Sequence, residues 1–406
     1  MKNVVILAPI SNNYFNYFDA ISGGTSNNYL IFIMKKHRNS YPEKLPYNIK
    51  LISLNIWNES YIDFKIDKFF HGKVDYIYAY EEEQILFSAE LREKYKVTNG
   101  QNIKSAQEFR NKLKMVELAH QSGLATPEYY PVNNIYDLIE AKRKIGYPLI
   151  VKPLDGMGSV ATFLIRNDEQ LKNIAKNKIL TNYLAEEYIL WPLYHVDGFV
   201  NNRKLVYLIT SEYFDNTLEV INGKSVGSVQ ILEESPTHQL IKEYTEKLLK
   251  VFDTPDNYLF HLEVFSNGKG VKLCEIGSRL GGGRILQEIE HQFNFNPIQE
   301  LLKIDLGLPS VLDKNKQYHI NQVCGFVLVS PRHGRLVKFP SEEDVKKYNK
   351  AVYDYYPYAQ IGRQYDGAHS SIESIMAVSI SDRTSEQVRH ELLQIDSWVK
   401  QNTVYE

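Results

Sequence analysis

The sequence predicts an α/β (α+β) protein built from several units. At 406 residues it exceeds what one hydrophobic core usually serves, given a prior of ~150 residues per domain. Strand-like apolar runs alternate with helical stretches over residues 1–104, the pattern of a small unit with a parallel sheet. Further on, two β-runs are joined by a short polar turn. With 43% hydrophobic and 24% charged residues, the chain has the composition of an ordinary globular protein and ample material for a core. A formal net charge of -2 and the lack of any Lys/Arg block give no field for a polyanion, so nucleic acid is not an expected partner.

The elements follow in order. Lys2 precedes an apolar stretch at 4–10 that is too short, and too poor in small residues at its end, for a signal peptide; it reads as the first strand. No apolar run, including 29–34, approaches the ~20 residues of a bilayer span, so no membrane crossing is expected. Strands are expected again at 49–54 and 76–79. No GxGxxG follows the first strand, which makes Gly23-Gly24 a turn rather than a phosphate cradle. Ser105 with Glu108 reads as a capping box, and Phe109, Leu113, Val116 and His120 continue at helical spacing as far as Gly123. A helix at 135–145, a strand at 147–152, a loop at 154–159 and a strand at 160–165 come next. Strands at 183–189 and 195–210 precede Ser235-Pro236, an N-cap with proline at the first helical position, opening a helix to Phe252. A last unit, from about Gln322, starts with a strand at 323–330 and ends in a helix at 385–399. The tyrosine-rich run 353–358 is expected to pack a loop onto it. Cys274 and Cys324 lie within apolar runs, as buried reduced thiols of a cytoplasmic protein would.

The hairpin at 258–276 carries the most chemistry. Its turn is Ser266-Asn267-Gly268-Lys269-Gly270, and pairing Phe265 with Val271 sets Glu263 opposite Leu273 and His261 opposite Glu275. His261, Glu263 and Glu275 then share one face, with the carboxylates as diagonal neighbours ~7 Å apart at their β-carbons, near enough to hold hard divalent cations. Glu275 leads into Gly277-Ser278-Arg279-Leu280-Gly281-Gly282-Gly283, which places a guanidinium beside glycines whose backbone could approach an anionic ligand. A second group is Lys152 at a strand end before a loop containing Gly156, Gly158 and Ser159; lysine, amides and hydroxyl could cover phosphates, although this is no Walker A sequence. A third is the acidic pair Glu186-Glu187 before Tyr188-Ile189, a candidate hinge between lobes. Singly, each has a plainer alternative: exposed glutamates on a sheet, an ordinary turn, a surface loop.

Taken in order from about Ser105 to Gly283, these pieces resemble the ATP-grasp superfamily. Asn111-Lys112 through Gly123-Leu124-Ala125-Thr126-Pro127 is similar to the family's Lys-bearing helix and its Gly-x-x-x-Pro turn, which implies that Lys112 contacts phosphate. Gly146-Tyr147-Pro148-Leu149-Ile150-Val151-Lys152-Pro153 matches the next signature, making Lys152 the α-phosphate lysine and the loop with Gly158 and Ser159 a phosphate lid. By the same resemblance Glu187 and Ile189 give main-chain contacts to adenine, Glu186 a side-chain contact, and Asp197 a further ATP contact. Glu263 and Glu275 would be the metal ligands and Arg279 the catalytic residue at the γ-phosphate and tetrahedral intermediate. Asn111, Ala161 and Gly277 depart from the family's usual aspartate, glycine and asparagine, the last of which normally supplies a metal oxygen.

The implied architecture is an ATP-grasp fold. It has a Rossmann-like pre-ATP-grasp domain at 1–104, a small lid lobe at 105–185, a large catalytic lobe at 186–320 and a β-rich α+β domain at 321–406. The Arg-x-Gly-Gly-Gly ending and Ser330-Pro331-Arg332-His333-Gly334-Arg335 look most like the L-amino acid ligases. The resemblance therefore implies an ADP-forming carboxylate–amine ligase with ATP and Mg²⁺ as cofactors. Its substrates would be small carboxylates and amines, amino acids foremost, joined through an acyl-phosphate; a homodimer is compatible with it. The alternatives are a ligase using bicarbonate or a peptide side chain, and a non-catalytic ATP-binding module of the synapsin sort.

Overall fold

Val4, Val5, Ile6 and Leu7 are all fully buried, as a strand covered on both faces requires. In the computed structural model, which describes residues 1–23, 26–313, 316–371 and 373–406, they form β1 (Asn3–Ala8). With β2 (Asn28–Met34), β3 (Ile49–Leu54) and β4 (Tyr76–Ala79) it makes a four-stranded parallel sheet in the order β3-β2-β1-β4. Gly23 follows the short helix Asp19–Ser22, while Gly24 lies outside the described residues.

The helix expected from Ser105 is two helices, Ile103–Arg110 and Lys112–Gln121. Asn102, not Ser105, caps the first, its side chain accepting from the Ser105 N–H at 2.8 Å. Asn111 takes an extended conformation between the two and accepts from the Leu113 and Lys114 N–H groups. A residue that can bond the backbone outside a helix breaks the run here despite its unbroken apolar periodicity.

A second four-stranded sheet, β5 (Tyr129–Val132), β6 (Leu149–Pro153), β7 (Phe163–Ile165) and β8 (Tyr183–Glu187), has the order β5-β8-β6-β7. The third sheet joins β9 (Leu193–Asn201), β10 (Lys204–Tyr213), β11 (Val226–Gln230), β12 (Tyr258–Ser266) and β13 (Val271–Gly277) to β14 (Val323–Val329). After the outlying β15 (His333–Lys338), it continues through β16 (Val352–Pro357) and, past β17 (Gln364–Asp366), β18 (Met376–Asp382). The eight strands run β13-β12-β9-β10-β11-β14-β18-β16, all antiparallel, while β15 pairs with β17 and with β19 (Val404–Tyr405). Alternation separates the two faces of the eight-stranded sheet. Val196, Leu262, Val264, Leu273 and Ile276 turn into a core with Met115, Ala119, Ile241 and Leu248, whereas Glu275, Glu263, His195, Ser211 and Gln230 lie across the other face.

The run 353–358 is mostly strand rather than loop: Tyr353 stacks on His291 with centroids 3.8 Å apart, and Asp354 takes two hydrogen bonds from Arg284 at 2.6 Å. Cys324 is buried, Cys274 is half-buried, and both are free thiols. Among the described residues no helix is long and apolar enough to cross a membrane.

Candidate active site

The Asn267 side chain accepts from the Lys269 and Gly270 N–H groups, and Gly268 supplies the positive φ of 77° that closes the turn between β12 and β13. Closure pairs Ser266 with Val271 and Phe265 with Lys272, one residue away from the expected register. A bulge at Cys274 then adds a residue to β13, so Glu263 stands directly opposite Glu275 and His261 opposite Gly277. The expected pairs Glu263/Leu273 and His261/Glu275 are thus corrected, while the shared face survives because one slip and one bulge restore the parity. Directly opposed β-carbons lie ~5 Å apart, closer than the diagonal arrangement. Glu263 accepts from the Tyr213 hydroxyl at 2.9 Å; Glu275 meets the Lys112 ammonium at 3.1 Å. Burial pushes the Glu275 carboxyl up, but Lys112 and Lys152 outweigh it and hold the pKa at about 2.

Facing this hairpin, β6 brings Lys152 to 2.6 Å from Glu186 on β8, and both are buried. Burial opposes the Lys152 ammonium, yet Glu186 and Glu275 hold its pKa above the usual value. Between the two sheets lies a cleft. Lys112, Lys152, Gly158, Ser159, Glu186, Glu187, Ile189, Glu263 and Glu275 all line it. Lys112 also donates to the Gly156 carbonyl at 2.7 Å and Arg110 to the Asp155 carbonyl at 2.6 Å, tying down the loop before Gly158. Gly158, Ser159 and Ala161 have φ of 60°, 61° and 55°, so Ala161 occupies a conformation suited to the glycine it replaces. At the hinge the Glu187 N–H already donates to the Glu128 carbonyl at 2.8 Å, which leaves the carbonyl for any main-chain contact there. Apolar walls come from Ile150, Leu193 and Phe265.

Two expected residues are not brought into this cleft. Asp197 lies outside its lining and is buried, accepting from His195 Nδ1 at 2.6 Å and His261 Nδ1 at 2.9 Å, while His195 Nε2 meets the Ser228 hydroxyl at 2.9 Å. Burial raises the Asp197 carboxyl, but the two imidazoles bring it well below the usual carboxylate range; burial lowers His261, but Asp197 pushes it up to about 9. Arg279 instead sits 2.6 Å from Glu82, which also pairs with Arg110 at 2.7 Å.

Two of the three glycines after Arg279 serve the packing of this loop. A β-carbon on Gly281 would lie 2.6 Å from both Asp197 Oδ1 and His261 Nδ1, and one on Gly283 would lie 2.7 Å from the Phe326 ring. Their absence lets the loop rest on the sheet. Sequence reasoning missed Glu82, whose one signal is an acidic run beyond the carboxyl end of a parallel strand, where ligands of such sheets gather.

The donor set fits Mg²⁺: two opposed carboxylates in one cleft offer the hard oxygens it prefers. Among the described residues Glu263 has no lysine or arginine within 4.0 Å; His261 Nε2 stands at 3.7 Å.

A family model for the ATP-grasp domain matches residues 109–255. The L-arginine-specific L-amino acid ligase of Bacillus subtilis is 27% identical over 289 residues, 68% of each chain. The crystal structure of an L-amino acid ligase from Bacillus licheniformis superimposes with a TM-score of 0.79 at 16% identity, covering 100% of this chain and 99% of that one. A carboxyaminoimidazole ribonucleotide synthase from Aspergillus clavatus, complexed with ATP, gives a TM-score of 0.71 at 13% identity, covering 98% and 99%.

Proposed function

We propose that this chain, an ATP-grasp ligase of the carboxylate–amine class by its domain and its relatives, joins two amino acids into a dipeptide. The observation that carries the site assignment is the direct opposition of Glu263 and Glu275 in the cleft that Lys112 and Lys152 also line.

A carboxylate is a poor electrophile until one oxygen becomes a leaving group. Its oxygen attacks the γ-phosphorus of ATP, the bond to the β-phosphate oxygen breaks, and ADP leaves an acyl-phosphate. Ile150, Leu193 and Phe265 would hold the base, Glu187 and Ile189 would read its edge, and Lys112 and Lys152 would neutralise phosphate charge. Glu263 and Glu275 would hold Mg²⁺, which screens the charge spread over the transferring phosphoryl group. The second substrate's amine, once deprotonated, attacks the acyl carbon, the carbon–oxygen bond to phosphate breaks, and inorganic phosphate departs. Arg279, released from or shared with Glu82, would steady the oxyanion, and the loop over Gly158 and Ser159 would exclude water. The free thiols suit a reducing cytoplasm.

The test is product analysis with every pair of standard amino acids. ADP and phosphate should appear in a one-to-one ratio with a dipeptide. Stoichiometric AMP would overturn the acyl-phosphate mechanism, and turnover with bicarbonate alone would overturn the amino acid assignment.

A further inference from the structure

A second cavity lies between the N-terminal unit and the catalytic lobe. Tyr78 at the end of β4, Ser88 and Arg92 on the helix Ile85–Tyr95, Asn257 ahead of β12 and Asp305 on the helix Pro297–Leu306 line it. Ser278, Arg279 and Leu280 line it as well.

Two opposite charges face this space without pairing. The Arg92 guanidinium is buried and spends its hydrogens on neutral acceptors: the Ile77 carbonyl from Nε at 3.2 Å and Nη2 at 2.8 Å, the Gln101 carbonyl from Nη1 at 3.0 Å and the Ser88 hydroxyl at 3.3 Å. One Nη2 hydrogen is left over. Asp305 accepts from the Asn257 amide at 2.8 Å and the Tyr78 hydroxyl at 3.2 Å, so each oxygen keeps a lone pair. Among the described residues neither charge has an ion-pair partner within 4.0 Å, although each lies within the other's field. Burial lowers Arg92 to about 10 and raises Asp305, as incompletely compensated charges behave. A cation and an anion that line one cavity more than 4.0 Å apart are complementary to one molecule bearing both signs.

We propose that this interface cavity binds a small zwitterion, a free amino acid whose ammonium meets Asp305 and whose carboxylate meets Arg92, and that its occupancy is sensed by the segment seating Arg279. The site is separate from the nucleotide cleft, so its existence does not depend on the ligase assignment.

Calorimetric titration of the full chain with L-alanine, without ATP, tests the site, beside propionate and ethylamine as probes carrying one charge each. L-alanine should bind at least tenfold more tightly than either, and Asp305→Asn should weaken it by a similar factor while melting close to the parent. Hydrogen exchange on the parent gives a second measurement should that variant not fold: L-alanine should slow exchange at 99–101 and 298–305. Undiminished binding to Asp305→Asn, equal binding of the singly charged probes, protection confined to 150–160 and 186–189, or no response to a large excess of L-alanine would each overturn the proposal.

Discussion

Glu82 Oε2 accepts from Arg279 Nε at 2.6 Å and lies 2.9 Å from where a β-carbon on Gly277 would stand. A carboxylate from the N-terminal unit thus fills the space that a side chain at 277 would enter. Burial raises the Glu82 carboxyl, but Arg279 and Arg110 outweigh it and keep it ionised. Gly277→Asn should therefore lose about 1–3 kcal/mol through overpacking. In a Glu82→Ala background the same change should cost less, because the obstructing carboxylate is gone. A double-mutant cycle read by denaturant unfolding should show coupling above about 0.5 kcal/mol. Additive effects would mean that the two residues do not compete for this space.

Lys152→Ala should weaken nucleotide binding and also destabilise the chain. The substitution strands Glu186, whose carboxylate is buried and 2.6 Å from the lost ammonium. Breaking a buried pair costs about 3–5 kcal/mol. Lys152→Ala with Glu186→Gln should recover part of the stability without recovering nucleotide affinity, as judged by chemical denaturation and calorimetric titration with ADP. Unchanged stability in the single variant would show that the pair contributes nothing to folding.

Glu275→Gln should lower kcat by about 100-fold or more, as loss of one preorganised electrostatic group does. Its stability effect has a definite sign. The folded carboxyl is depressed to about 2, so its contribution is fully present above the unfolded value of about 4.3 and is lost as pH falls towards 2. Removing the charge also unpairs Lys112. The variant should be less stable than the parent at pH 7, and its unfolding free energy should fall less steeply between those two pH values. Near-parental kcat at saturating Mg²⁺ would remove Glu275 from the site.

Gly281→Ala should destabilise by about 1–3 kcal/mol, since its methyl group would press on Asp197, His261 and Ile285. Gly282, whose nearest neighbour would be the Tyr14 hydroxyl at 4.0 Å, should accept alanine with a much smaller loss. Comparing the two melts checks the packing role of the loop; equal losses would argue against it.

Local chemistry was legible in the sequence. The turn residues Asn267 to Gly270 marked the hairpin, alternation placed Glu263 and Glu275 on one face, and Lys152 stood at its strand end as expected. What escaped was non-local. Nothing near Cys274 signals the bulge, which arises from pairing between two strands rather than from either alone. Glu82 meets Arg279 across 197 positions of chain, beyond the reach of any spacing rule. Asp197 shows the converse: it stands at a motif position, yet two imidazoles absorb its carboxylate outside the cleft.

Because β11 hydrogen-bonds to β14 in the eight-stranded sheet, the last part of the chain cannot be exchanged as a cassette. A chimera joined near residue 320, with a relative's tail in place of this one, must rebuild the ladder from Val226↔Leu328 to Val229↔Gly325 in register and seat Asp354 against Arg284. A junction in the turn between β9 and β10 would meet more constraints still, because β9 lies between β10 and β12 and both ladders would then join strands of different parents.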